Sequence, residues 1–253
     1  MAAYSPSSTI ISPRQTGTIP PVIGGGGWKV VYRSGAVAAL LSVICVAIAG
    51  VVLVTNPSPT TVSGWYAAFQ QNPLVGLLQL DLVMLVSYAL TLVLYFALYG
   101  ALRQVNESLV TFATLLGVVS IVTYFASNVS FTMLVLSQKY AVATSEADRS
   151  QLLAAGQSAL ATWQGSAFDV SYVLGGVGIL LFAVVMLRSA VFSNVTAYVT
   201  LVLGALMLIP ATAGQLGYIL SIISLLPLVV WDVLVALRLF RLARAATTAS
   251  VAP

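Results

Sequence analysis

The chain has 253 residues, 60% hydrophobic and 6% charged, with ten Lys and Arg against six Asp and Glu, a formal charge of +4 and no histidine. Soluble domains carry about a quarter charged residues, so this composition, with a mean hydropathy of +1.03, excludes a water-soluble globule and reads as a polytopic membrane protein. The missing imidazole excludes histidine-based triads, HExxH zinc sites and histidine-ligated haem, and a single cysteine, Cys45, excludes a disulfide within the chain.

Residues 1–27 are rich in Ser, Pro, Thr and Gly and lack the charged start and apolar run of a signal peptide, so they read as a disordered cytoplasmic tail. The following "GGGGWKV" lacks the spacing of a phosphate loop. It reads as a linker into an interfacial anchor built from Trp28, Lys29, Tyr32 and Arg33.

Six apolar segments follow, at about 35–55, 74–100, 109–136, 166–187, 191–212 and 215–237. Each is long enough to cross a hydrocarbon core of about 30 Å, and only helices or closed barrels satisfy the backbone in lipid. The runs do not alternate as barrel strands do, so the predicted fold is all-α, a six-helix transmembrane bundle over residues 28–244 with a short tail at 245–253. Pro210 and Pro227 predict kinks in the last two helices.

Between the first and second segments, residues 56–73 are bounded by proline with aromatics in the middle. Between the third and fourth, residues 145–163 open with a capping box, Ser145 to Asp148, and set Leu152, Leu153, Leu160 and Trp163 near one face. That pattern predicts an extracytoplasmic amphipathic helix on the outer rim, or a lid over a cavity.

The basic residues orient the bundle. Arg14, Lys29, Arg33, Arg103, Arg188, Arg238, Arg241 and Arg244 fall on one side, and Lys139 and Arg149 on the other, which predicts a plasma-membrane protein with both termini cytoplasmic. Charges spread over helix ends in this way are a topology signal, so the expected partner is the lipid bilayer and not nucleic acid.

Polar residues inside the segments are the candidates for function. At 1.5 Å per residue, Asp81 stands 22 residues and about 33 Å above Arg103, Asn128 stands 21 residues above Glu107, and Asp169 stands 19 above Arg188. Three polar side chains on three helices therefore share one level near the outer boundary. Asp81, Tyr88 and Tyr95 follow at intervals of seven, and Tyr172 lies three residues after Asp169. Ala167, Ser171 and Gly175 make a small-residue ridge suited to close helix contact. A hydrogen-bonded structural cluster and a polar pocket for a small solute or ion, built from Asp81, Asn128, Asp169, Tyr88 and Tyr172, both fit this placement. Asp232, six residues before Arg238, is expected near the cytoplasmic end as the partner of Arg103 or Arg188.

Leu98-Tyr99, Arg103 and Val105-Asn106 after Asp81, with Arg188-Ser189 ending the fourth segment, carry a resemblance over roughly residues 35–237. The chain resembles a family of bacterial multi-pass membrane proteins known only as a domain of unknown function. That resemblance implies the six-helix fold and assigns no catalytic residue, cofactor or metal. No nucleophile–base pair stands out, so the functional reading is a non-enzymatic sensor, accessory or small-molecule-binding protein. The alternative is a proton- or cation-coupled small-solute transporter using Asp81 and Asp169 from the outside.

Overall fold

The computed structural model describes residues 26–249. The expected N-terminal tail lies almost wholly outside the described residues, as do the last four positions of the C-terminal one. Ten helices make up the described chain: α1 Gly26–Thr55, α2 Val62–Gln71, α3 Pro73–Gln79, α4 Leu82–Leu102, α5 Glu107–Ser127, α6 Ser130–Val142, α7 Glu146–Trp163, α8 Ser166–Leu187, α9 Asn194–Leu206 and α10 Gly214–Ala249. Five spans are long and apolar enough to cross a membrane, while α9 is a shorter apolar helix.

Six of these helices close a ring, each touching its neighbours in the order α1, α4, α5, α8, α9, α10 and back to α1. The interior of the ring is a continuous apolar core that includes Leu94, Tyr95, Phe182, Trp231, Val235 and Leu239. Its outer surface is apolar as well. Along α5, the exposed Phe112, Leu115, Val119 and Val122 fall on one stripe, the arrangement expected of a helix whose solvent is lipid.

The small-residue ridge of α8 does what its composition predicts. Ser171 offers its carbonyl to the Ser120 hydroxyl at 2.7 Å. A Cβ on Gly175 would come within 2.8 Å of the Ser120 Oγ, and one on Gly178 within 3.1 Å of the Ala113 carbonyl. α5 and α8 thus approach closely because their contact face lacks bulk.

A second, separate core sits at one end of the ring. Trp65, Tyr66 and Phe69 of α2 bury against Leu80, Val129 and Met133, with Leu153, Leu160 and Trp163 of α7 packed on them. The Tyr66 hydroxyl donates to the Leu152 carbonyl at 2.7 Å and ties α2 to α7. The four short helices α2, α3, α6 and α7 form a cap over the ring.

Three differences from the sequence reading have physical causes. The Pro-bounded segment 56–73 contains the helix α2, started by Thr61, whose side chain accepts from the Gly64 N–H at 3.1 Å. The fifth apolar segment is helical only to Leu206, and residues 207–213 run in turns. Pro210 removes a donor and disfavours helix before it, so it ends a helix it was expected to kink. Pro227 does lie inside α10. The second and third segments are each broken in two, at Asp81 and at Asn128.

Candidate functional site

The break at Asp81 is the centre of the site. Its backbone is left-handed (φ 66°, ψ 20°), the one non-glycine residue with positive φ among the described residues. Aspartate tolerates this conformation better than most residues, at a cost of about 1 kcal/mol. The kink turns the Leu80 carbonyl out of the helix. Asn128 Nδ2 donates to that carbonyl at 3.1 Å, and the Ser130 hydroxyl donates to it as well. Asn128 Oδ1 in turn accepts from the Ser130 N–H at 3.1 Å. One broken helix therefore satisfies the backbone exposed by the other, as buried backbone requires.

Asn128 bonds the carbonyl of Leu80, the residue next to Asp81, and lines neither of the two cavities at Asp81. The Asp81 carboxylate accepts from the Trp163 indole N–H at 3.0 Å, and the Tyr124 hydroxyl faces it. Below it, Tyr88 and Tyr124 stack at 3.9 Å with their planes 9° apart, and Phe168 bridges from Tyr124 to Tyr172. Burial raises the Asp81 carboxyl from 3.8 to about 6, against the opposing pull of the Trp163 and Tyr124 hydrogen bonds.

Two cavities open on this carboxylate. One, of about 240 Å³, lies in the ring and is lined by Val46, Met84, Tyr172, Ser221 and Ile222. The other, of about 790 Å³, lies under the cap against Trp65, Leu160, Trp163 and Gln164. Asp81, Gln79, Ser58, Leu53 and Tyr218 belong to both walls, so the two spaces adjoin at Asp81. Gln79 donates through Nε2 to the Asn56 carbonyl at 3.0 Å, which leaves its buried Oε1 without a partner. At the junction stand the Asp81 carboxylate and the Gln79 side chain, and the remaining wall is largely apolar.

Asp169 does not join them. Its carboxylate accepts from the Thr212 hydroxyl in the turn between α9 and α10, and it lines neither cavity. Trp163, Gln79 and Ser130 were not singled out from sequence for the site. Gln79 carried a signal, a second polar residue two positions from Asp81 in an apolar run. Trp163 carried none, because its partner is 82 residues away.

Asp232 also departs from expectation. Arg103 lies over the Trp28 ring at 4.5 Å and Arg188 is exposed, while Asp232 is 1% exposed and faces Ser42. The expected ion pair is therefore not formed among the described residues. The expectation took Arg238 as the helix end, but α10 runs to Ala249 and places Asp232 at its middle.

Residues 35–242 match the model of a family described as a domain of unknown function (DUF4386). The chain belongs to that family. No curated protein and no solved structure matches it. The family's match begins inside α1, takes in the cap and the Asp81–Asn128 seam, and stops inside α10. Among the described residues no three His, Cys, Asp or Glu side chains stand together as a metal-binding group.

Proposed function

We propose that this DUF4386 protein is a non-enzymatic, multi-pass plasma-membrane protein that binds a small amphiphilic solute bearing a positive charge or N–H donors in the Asp81 cavities. The observation that carries the reading is the Asp81 carboxylate at the junction of two largely apolar spaces, with the buried, unpartnered Gln79 Oε1 on the residue two positions before it. A ligand matching this wall has a donor-rich head and an apolar body.

In the same proposal the six ring helices are the six spans, with α9 and the turn after it making the shortest crossing. The cap lies outside and both termini lie in the cytoplasm. Support comes from the charges: Lys139 and Arg149 belong to cap helices, whereas Lys29, Arg33, Arg103, Arg188, Arg238, Arg241 and Arg244 lie on ring helices or at their ends away from the cap.

The test is thermal unfolding of the protein in lipid nanodiscs with alkylammonium ions and with alcohols of matched chain length. The ammonium series should raise the unfolding temperature more than the alcohols, and Asp81→Asn should abolish the difference. Equal effects of the two series on the wild type would refute the reading. Transport is the second reading, favoured by the continuity of the two cavities, and it rests on Asp81 without Asp169. Flux of a bound ammonium ion into liposomes separates carriage from binding.

A further inference from the structure

We propose that Asp232, Ser42 and Ser87 form an exchangeable site for a monovalent cation, a proton or Na⁺, in the middle of the helical ring. The proposal is independent of the ligand assigned to the Asp81 cavities.

Asp232 is the nineteenth residue of the 36-residue α10 and is 1% exposed. An isolated carboxylate in hydrocarbon is strongly disfavoured unless a positive charge or a full set of donors accompanies it. The set here is incomplete. Ser42 of α1 faces the carboxylate, yet Oδ2 has no hydrogen-bond partner. The Trp231 indole N–H beside it in sequence is buried and unpartnered too. Ser42 and Ser87 share a hydrogen bond of 2.7 Å between their hydroxyls, which places a second hydroxyl oxygen, from α4, next to the first. Three elements thus bring one carboxylate and two hydroxyls together inside the apolar core.

Among the described residues no basic side chain stands against the group. From α4 the titratable neighbour is Tyr95, from α1 the facing group is Ser42, and α9 carries no acid or base apart from the outward-facing Tyr198. Arg103 is occupied by Trp28, and Arg238 reaches the Ala190 carbonyl. The charge that accompanies Asp232 must therefore come from outside the described chain. A proton on the carboxyl or a dehydrated Na⁺ held by the carboxylate and the two hydroxyls each supplies it.

Polar residues on α4 stand between the cavities and the site. Tyr88 and Tyr95 of α4 lie seven and fourteen residues after Asp81, with Thr91 bonded to the Ser87 carbonyl at 2.9 Å between them. Asp81 belongs to the cavity wall and Tyr95 faces Asp232.

Infrared difference spectra of the wild type and of Asp232→Asn in nanodiscs test the site, taken across steps of pH and between sodium-free and high-sodium buffer. A carboxylic C=O band that is present in sodium-free buffer, lost on raising the pH and absent from Asp232→Asn identifies a proton site. Replacement of that band by carboxylate bands on adding Na⁺, but not on adding choline, identifies Na⁺ as the occupant. A wild-type band that stays unchanged through both series marks a fixed structural acid and overturns the proposal. So does a band series identical in the two proteins. If Asp232→Asn does not fold, Ser42→Ala and Ser87→Ala serve instead. Each should displace the midpoint of the pH or sodium dependence, and unchanged midpoints in both would overturn the site.

Discussion

The cap and the ring are both helical and both have apolar cores, but α7 of the cap and α5 of the ring present opposite outer faces. α7 turns Glu146, Asp148, Arg149, Gln151 and Gln157 outward, while α5 turns out Phe112, Leu115, Val119 and Val122. The cap is mixed: α7 is polar outside, while α6 turns out Phe131, Val135 and Val142. The seam between cap and ring, where Leu80 gives up its helical hydrogen bond to Asn128 and Ser130, is where polar chemistry gathers. The cavities open where the cap meets the ring, around Asp81.

The strongest way to separate the two regions is to remove one core and leave the other. Phe69→Ala deletes a 1%-exposed side chain of the cap and should cost the cap about 3–5 kcal/mol. Hydrogen exchange should quicken in α2, α6 and α7 and stay unchanged in α5 and α8. Uniform loss of protection would mean that cap and ring unfold as one unit.

A smaller effect is expected at the seam. Asn128→Ala leaves the Leu80 carbonyl with Ser130 alone and should cost about 1–3 kcal/mol in thermal unfolding. A change within error would mean that the helix break does not depend on its partner.

Trp163→Phe removes the indole donor that favours the charged form of Asp81, so the carboxyl should titrate above its value of about 6. Because the folded-state value already exceeds the ordinary 3.8, the folded chain holds a proton that the unfolded chain releases. Stability from this group is therefore full below about 3.8 and declines as pH rises toward 6. In Trp163→Phe the decline should extend to higher pH, and in Asp81→Asn it should vanish, as followed by unfolding temperature against pH. The smallest effect belongs to Asp169→Asn, which should leave ammonium binding unchanged, since Asp169 is held by Thr212 outside both cavities.

Much of this was readable from the sequence. The apolar segments marked the ring, Ser145 and Asp148 marked the start of α7, and counting residues put Asp81 and Asn128 at one level. The breaks themselves were not readable, because the left-handed turn at Asp81 depends on donors 48 and 50 residues away from Leu80. Nor was the direction of Asp169: depth along a helix fixes height, while the α9–α10 turn that claims its carboxylate follows from Pro210 and Gly214 far along the chain. Asp232 was misplaced because arginines mark the membrane boundary only where the helix stops soon after them, and α10 continues for eleven residues past Arg238.

The central claim is that an ionised Asp81 receives a cationic head at the junction of ring and cap. Its most direct test is calorimetric titration of an alkylammonium ion into the nanodisc-embedded protein at a series of pH values. Affinity should strengthen as pH rises through about 6 in the wild type, and it should be weak and independent of pH in Asp81→Asn. Equal affinity in the two proteins at every pH would contradict the account.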